Sequence, residues 1–580
     1  MSMRNINTQQ KDYTTEREGY QLYLPMNYEV IIPTNDSVRL LDRIVERMDI
    51  REIEAGYSKQ GRKSAAPPRI LLKIMLYAYM EGNYSSRKIE KACKRDINFM
   101  WLLGGNPAPS HKTWNEFRKH RLGETVEKIF YQFVEILYEL GEISLENIFP
   151  DGTKIEANAN RYTFVWKKAV ERYSGRLVEK ARLIAGEMEK LYHQPFPITV
   201  SDETSGGSRA LGALGILEQE VYTMIKFLKK EIETKGIEMV KGQGKRQSKE
   251  QKLLSSLEEI RKKHLEYEEK KEILDGRGSY SKTDHDATFM RMKEDHMKNG
   301  QLKPAYNVQL AVEGEYIVGA GVFQNCNDLG TLIPLLERMF ENCPLVLEHL
   351  KRVIADSGYE SEEIYAFLKQ LGVEAYIKPQ NYEQMQTRKF KNNIGKRENM
   401  TYNAETDEYT CANGRQLRPC GTKKRKSKSK SSRSNKSSKS SKSSKSSESM
   451  TSYEAEITVY ECESCEGCPC KEKCTKAKGN RRLEVSKVFV EMRAESLENV
   501  TSDYGKLLRV NRSIQVEGAF GIIKEDRQFD QFLTRGLINV KTELFLLCTG
   551  YNINKLHAKI QNERTGCTLH PLKVENKSAA

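Results

Sequence analysis

Three acidic residues in this chain stand where carboxylates could hold metal ions. The apolar run Leu145 to Phe149 ends in Pro150-Asp151-Gly152, and Arg352-Val353-Ile354-Ala355 ends in Asp356-Ser357-Gly358-Tyr359. Each reads as a short strand delivering a carboxylate at its tip. Acids at strand ends converge on one edge of a sheet, where hard divalent cations can bridge them. Magnesium prefers such oxygen ligands and keeps waters and substrate phosphates in its shell. A third acid, Glu517, lies in a helix-like segment with Ile514, Val516, Phe520, Gly521 and Ile523, which would hold it against the sheet. Taken singly, an Asp after a strand is more often a turn residue or a helix cap, so spacing alone leaves the trio open. Asp284 and Asp286 flank His285 in a loop and read as structural or substrate-positioning. Glu156 is opposite in strand parity to Asp151 and faces away.

A second cluster is thiol-rich. Five of the twelve cysteines crowd into thirteen positions as Cys462-x2-Cys465-x2-Cys468-x-Cys470-x3-Cys474. CxxC pairs suit tetrahedral zinc. Cys462, Cys465, Cys468 and Cys474 are the preferred structural set, with Cys470 spare and Cys411 and Cys420 as further donors. The bland alternative is a set of reduced thiols in a loose loop.

The elements that must position these groups follow from length and periodicity. At 580 residues, with 38% hydrophobic and 30% charged, the chain holds material for several domains with real cores. No run of 18 apolar residues exists, so no membrane span is expected. The N-terminus lacks an apolar signal core, which predicts a cytoplasmic protein. Lys423 to Glu448 carries +10 of the +15 net charge, leaving only +5 elsewhere. A basic balance suits polyphosphate partners, weakly so here. The Lys/Ser tract, 423–449, is too polar to build a core.

Residues 1–130 read as helical. Asp36-Ser37 caps a helix with Val38, Leu41, Ile44 and Val45 at helical spacing, Pro67-Pro68 opens another, Ser85-Ser86 a third and Pro109-Ser110 a fourth. Short helices carrying Arg87, Lys112, Arg118, Lys119 and Arg121 fit a helix-turn-helix-like DNA reader; a dimerisation or packing module fits equally well. Residues 163–280 return to helix, with Leu253, Leu257, Ile260, His264 and Tyr267 at coiled-coil-like steps. From residue 281 the order is strand, strand, helix, strand, helix, strand, which argues for a mixed sheet with helices on its faces. Residues 381–500 interrupt it, and order resumes near Tyr504.

The words around the acids are more specific than their spacing. Asp151-Gly152-Thr153-Lys154-Ile155-Glu156-Ala157-Asn158, Ala355-Asp356-Ser357-Gly358-Tyr359 and Arg512-Ser513-Ile514-Gln515-Val516-Glu517-Gly518-Ala519-Phe520-Gly521-Ile522-Ile523-Lys524 occur in this order. With Thr283-Asp284-His285-Asp286-Ala287, Tyr306-Asn307-Val308-Gln309 and Tyr57…Gly61-Arg62…Pro67, the set resembles the DDE transposases of bacterial insertion sequences, in the family labelled eleven-eighty-two. The resemblance spans about residues 20–560. It implies an α/β (α+β) fold with an RNase H-like mixed-sheet catalytic core in three parts, 140–162, 281–380 and 501–560. A helical N-terminal domain precedes it, a helical insert and a Cys-rich insert interrupt it, and a tail, 561–580, follows.

The same resemblance implies Asp151, Asp356 and Glu517 as a metal-holding triad for two Mg2+ (or Mn2+) ions, with Arg512 and Lys524 beside it. Lys524 follows Glu517 with six residues between, as in the tyrosine–arginine–glutamate–lysine signature of related transposases. Arg512 departs from that signature, with four intervening residues where it has three, and Tyr504 lies further away than expected. A helix with seven residues from Glu517 to Lys524 puts both on one face, with the cation within reach of DNA phosphate. The implied reaction is an in-line phosphoryl transfer clamped by two cations about 3.5–4 Å apart, first with water and then with the freed 3′-hydroxyl. The implied partner is double-stranded DNA bound by a homodimer, in the bacterial cytoplasm with the nucleoid. Two rivals stand beside this reading: a non-catalytic DNA-binding protein derived from a transposable element, and an RNase H-like nuclease without strand transfer.

Overall fold

The computed structural model describes residues 27–57, 64–198, 209–240, 247–292, 300–426 and 453–571. Gly61, Arg62 and the Lys/Ser tract from residue 427 lie outside the described residues.

The N-terminal helices form where the sequence predicts them. In α1 (Ser37–Arg47) the Asp36 carboxylate accepts from the Val38 N–H at 2.9 Å, and Val38, Leu41, Ile44 and Val45 are the buried face. α2 (Pro68–Met80) is buried along nearly its whole length. Three shorter helices follow, α3 (Ser86–Cys93), α4 (Ile97–Leu103) and α5 (His111–Glu116), and then α6 (Thr125–Glu139).

The sheet is built on β1 (Asn147–Glu156), β4 (Thr288–Arg291), β5 (Leu302–Glu313), β6 (Tyr316–Phe323), β7 (Arg352–Ala355) and β8 (Glu374–Ile377); β2 (Phe164–Trp166) and β3 (Ser279–Ser281) form a separate pair. Its order is β4-β5-β1-β7-β8, with β6 also on β5. β5 runs antiparallel to both β1 and β6, whereas β7 and β8 run parallel to β1. Antiparallel strands joined to two parallel ones, with helices on the faces, fit an RNase H-like fold. β1 is longer than the sequence suggests: it runs on from the apolar run through Glu156, so Asp151 sits mid-strand opposite Leu310 and not at a tip. Pairing with β5 makes the difference, because that long partner continues past the apolar run. The buried Glu313 carboxylate anchors the start of β1, accepting from the Ser144 N–H (3.0 Å), the Asn147 N–H (3.1 Å) and the Leu145 N–H.

Three long helices, α7 (Lys167–Tyr192), α8 (Arg209–Thr234) and α9 (Lys249–Leu274), pack round their own apolar core, which includes Leu177, Met188, Val221, Leu228, Leu257 and Ile260. The coiled-coil-like steps of α9 therefore meet two helices.

Residues 381–500 hold more order than composition suggests. β9 (Thr401–Asn403), β10 (Glu408–Thr410), β11 (Gln416–Lys426), β12 (Glu454–Cys462) and β13 (Arg482–Val485) make an antiparallel meander. The sequence does not announce it because charged, exposed β11 lacks an apolar face. Order also resumes before Tyr504. α10 (Leu332–Asn342) and α11 (Glu362–Gln370) flank β7, and in α12 (Lys487–Thr501) the Ser496 hydroxyl accepts from the Ile377 N–H and donates to the Ile377 carbonyl, both at 3.0 Å, closing the free edge of β8.

The chain then runs through α13 (Asp503–Arg512), a π-helical turn at Ser513–Glu517, one α-turn at Gly518–Gly521 and a second π-turn at Ile522–Asp526, where the sequence predicts a single long helix. α14 (Leu537–Gln561) closes the core. One continuous apolar cluster joins α1, α2, α6, the sheet and α14, so the N-terminal helices share the core of the sheet. α14 meets α2 at Gly550, where an added Cβ would lie 2.9 Å from the Met80 backbone nitrogen. Backbone cannot yield as a side chain can. Gly550→Val should therefore cost about 2–3 kcal/mol, read from chemical denaturation; an unchanged midpoint would refute the close approach.

Candidate active site

Asp151 and Asp356 meet because β1 and β7 share a parallel register. Asn147 pairs with Arg352 and Ile148 with Val353, and each aspartate lies four residues beyond its paired Asn147 or Arg352. Pairing stops there: β7 ends at Ala355, and Pro150 has no N–H to offer. The two carboxylates therefore sit side by side where the sheet opens. Asp151 accepts from the Gly152 N–H at 2.8 Å. Asp356 caps the turn Ser357–Tyr359, accepting from the Gly358 N–H at 2.8 Å.

Arg512 spans them. Its Nη2 is 3.1 Å from Asp151 Oδ2 and 3.7 Å from Asp356 Oδ2. A single guanidinium thus offsets the repulsion between the two acids. Glu517 follows five residues later at the end of the π-turn, exposed, after buried Gln515 and Val516. In a π-turn the hydrogen bond runs from i to i+5, so Arg512 and Glu517 are one turn apart. The four-residue gap between them is the length that such a turn absorbs. Gln515 secures the turn: its amide donates to the Thr568 carbonyl (2.9 Å) and its Oε1 accepts from the Glu315 N–H (3.1 Å). Among the described residues, Asp151, Asp356 and Glu517 do not close into one group with all ligand atoms within 4.8 Å. Lys524 Nζ donates to the Lys154 carbonyl on β1 at 3.4 Å, three residues along from Asp151. The seven residues from Glu517 to Lys524 cross an α-turn into a second π-turn, so α-helical spacing does not describe their relation.

A third aspartate, which no sequence motif singles out, belongs to this cluster. Asp328 lies in the loop after β6, and its Oδ1 accepts from Asn307 Nδ2 and Gln309 Nε2, both at 2.8 Å. These two amides are fully buried on β5, beside β1. The Gln309 Oε1 accepts from the Tyr359 hydroxyl, tying the network to the residue three after Asp356. Burial, then the charges of Asp328, Asp151 and Asp356, hold the Tyr359 phenol well above its usual value. The available sequence signal is the buried amide pair in Tyr306-Asn307-Val308-Gln309, since paired amides inside a strand need polar partners. Two aspartates facing one arginine, with Asp328 beside them on the buried amides, leave a net negative pocket of oxygen donors, a set that fits hard divalent cations.

The remaining predicted residues sort by burial. Asp284 accepts from the Tyr306 hydroxyl (2.8 Å) and the Gly536 N–H (3.2 Å), and Asp286 accepts from the Leu537 N–H (2.8 Å) at the start of α14. Both fasten a loop to a helix, and burial pushes the Asp284 carboxyl up. Glu156 pairs with Arg161 (2.6 Å) and Lys303 (3.1 Å). Tyr504 stacks under the Arg352 guanidinium, 5.1 Å from its ring centre, at the opening of β7.

Of the expected DNA contacts, Arg87, Lys112 and Lys119 are exposed. Arg118 is corrected: it is buried, donating to the Tyr79 hydroxyl (3.1 Å), the Tyr84 carbonyl (3.0 Å) and Asn115 Oδ1 (3.2 Å), because the chain enters a π-turn at Phe117–Leu122 that turns it inward. Arg121 donates to the Gly56 carbonyl and lies over the Tyr57 ring at 4.8 Å.

Elsewhere, Glu218 of α8 with His264 and Glu268 of α9 bring three ligand atoms within 4.8 Å of one another. Arg261 lies 3.6 Å from Glu218, so that group already has a cation.

Two family models match this chain: the transposase DDE domain over residues 432–557, which includes Arg512, Glu517 and Lys524, and the transposase domain (DUF772) over residues 26–120, which covers α1 to α5. Comparison with curated proteins and with solved structures returns no match. The matches support a nucleic-acid-processing enzyme, and within that class a DDE-type transposase of an insertion element. No helix among the described residues is long and apolar enough to cross a membrane.

The glycines beside the aspartates differ in the room they leave. A Cβ on Gly152 would strike the Gln309 amide and lie 2.7 Å from Asp328 Oδ1, whereas one on Gly358 would meet Asp356 Oδ1 at 3.0 Å. Gly152→Ala should therefore destabilise by about 1–3 kcal/mol and Gly358→Ala by much less, as thermal melts would show. Equal losses would sink this account of the pocket.

Proposed function

We propose that the protein is a DNA transposase that cuts the ends of an insertion sequence of the eleven-eighty-two family and joins them to target DNA. The observation that carries this reading is the shared register that sets Asp151 beside Asp356, across from the segment bearing Arg512, Glu517 and Lys524. Asp151, Asp356 and Glu517 would hold two Mg2+ or Mn2+ ions. Bound divalent cations supply charge stabilisation for an in-line phosphoryl transfer. The carboxylates bring the negative charge that offsets those ions near phosphate.

Arg512 keeps Asp151 and Asp356 in place until the ions compete for them. Asp328, held by Asn307 and Gln309, orients the floor of the pocket. Lys524, beside β1, reaches a DNA phosphate close to the scissile bond. Water opens the phosphodiester at the element end, and the released 3′-hydroxyl attacks a target phosphodiester. Arg87, Lys112 and Lys119, exposed on the N-terminal helices, contact the element's ends. Two copies of the chain act together, one for each end.

Magnesium-dependent nicking of a labelled end fragment tests the chemistry, and recovery of joined target plasmid separates transposition from simple nuclease action. Asp151→Asn, Asp356→Asn and Glu517→Gln should each abolish nicking while still binding the end fragment, because an amide keeps size but is a poor magnesium ligand. Lys524→Ala should slow it by up to about a hundredfold, and exposed Glu348→Gln should leave it unchanged. Parental nicking by Asp356→Asn would overturn the site assignment; binding without nicking by the parent would favour the non-catalytic rival.

The Lys/Ser tract gives a separate test. β11 and β12 pair out to Lys426 and Glu454, so the two ends of the tract are held together. Removing residues 428–447, with seven cations, should leave the melting temperature unchanged. It should lower the salt slope of nonspecific DNA binding by about 0.9 for each DNA phosphate that the tract neutralises. A large fall in melting temperature would contradict it.

A further inference from the structure

The meander of β9 to β13 has a core too small for its size. Its core cluster is Met400, Tyr409, Leu417, Tyr460, Cys462, Cys465, Leu483 and Val485, Ile457 and Val459 add the remaining apolar burial on β12, and β11 is exposed beyond Leu417. Small units with so little apolar burial are commonly held by disulfides or a metal, and all the cysteines here are free.

Six of those thiols converge. Cys411, Cys462, Cys465, Cys468, Cys470 and Cys474 line one cavity with Arg415 and Arg481. They come from three places in the fold. Cys411 follows β10 in a tight turn, closed by the Gly414 N–H on the Cys411 carbonyl and the Cys411 N–H on the Arg415 carbonyl, both at 2.9 Å. Cys462 ends β12 opposite Leu417, and the rest lie on the loop before β13. Cys420 does not take part: it sits exposed at the β-bulge of β11, its thiol 3.3 Å from the Val459 carbonyl.

Hydrogen bonding separates the thiols further. Cys462 donates to the Ser464 carbonyl at 3.4 Å and also bonds the Cys465 thiol at the edge of the group. Cys465 Sγ accepts the Arg481 N–H at 3.3 Å. Cys474, on the helical turn Lys471–Cys474, has Cys411, Cys465 and Cys468 as its thiol neighbours, and neither Cys462 nor Cys470. The surrounding frame is cationic. Arg481 donates to the Cys474 carbonyl (3.2 Å) and the Gly395 carbonyl (2.7 Å), and Arg415 to the Ser464 (2.6 Å) and Glu466 (3.1 Å) carbonyls. Two guanidiniums fixed at the cavity wall offset the charge that four thiolates would bring round a dication.

We infer that Cys411, Cys465, Cys468 and Cys474 form a structural zinc site that staples the β10–β11 turn to the loop before β13. Cys411 thereby replaces Cys462 in the set expected from CxxC spacing. The sulfurs ring the cavity without standing as close together as a closed site requires, so the metal draws the 465–474 loop inward. Soft thiolates in a tetrahedral set select zinc. The inference is independent of the transposase reading.

Elemental analysis of the purified full chain tests it. About one zinc per chain is expected, retained in Cys462→Ser and Cys420→Ser and lost in Cys411→Ser and Cys474→Ser. Cobalt added to the zinc-free protein should give thiolate charge-transfer and tetrahedral visible bands. Should Cys411→Ser fail to fold, Cys411→His keeps four ligands, and its cobalt spectrum should show a weaker thiolate band at the same stoichiometry. Absence of both zinc and cobalt binding overturns the site. Zinc kept by Cys411→Ser, or lost by Cys462→Ser, overturns this ligand set, and iron at the same ratio overturns the metal.

Discussion

Everything at the candidate centre depends on two residue pairs of parallel strand, Asn147 with Arg352 and Ile148 with Val353. So short a ladder fixes the relative height of β1 and β7, and with it the separation of Asp151 and Asp356. Two acids placed side by side repel. The fold contains that repulsion by threading Arg512 between them and by giving each carboxylate a neighbouring backbone N–H. The site is held by opposed charges that neither strand could tolerate alone.

What supports the ladder comes from distant parts of the chain. Glu313, at the far end of β5, fastens the chain entering β1, while Ser496 closes the far edge of the sheet at β8. α14 packs across α2 so closely that only a glycine fits at Gly550. The N-terminal helices are consequently braced on the same core as the carboxylates. Those helices and the strand that carries Asp151 move as parts of one packed body.

Much of this is legible in the residues. The caps at Asp36 and Ser110, the apolar runs and the small residues after Asp151 and Asp356 are local signals, and local signals survive in a sequence. Asp328 is not legible, because nothing near it in the chain announces it. Its role arises from amides some twenty residues earlier, on β5. Arg118 misleads for a similar reason: in a basic run it resembles its exposed neighbours, and only the π-turn shows that it faces Tyr79 and Tyr84. The meander escapes notice because its long strands are charged, and the cysteines that close it lie far apart along the chain, Cys411 on one side of the Lys/Ser tract and Cys465 on the other.

The wide turns around Glu517 bear on how such chains diverge. A π-turn accommodates one residue more than an α-turn without unwinding the helix on either side. A helix that gains a residue between Arg512 and Glu517 can therefore keep both groups near the same surface, with the surplus taken up locally and pinned by Gln515. Single-residue insertions, usually ruinous inside a helix that carries a reacting group, become tolerable at this point. A pattern that demands a fixed gap between arginine and glutamate will pass over such chains, whereas one that lets the gap vary by a residue will gather them.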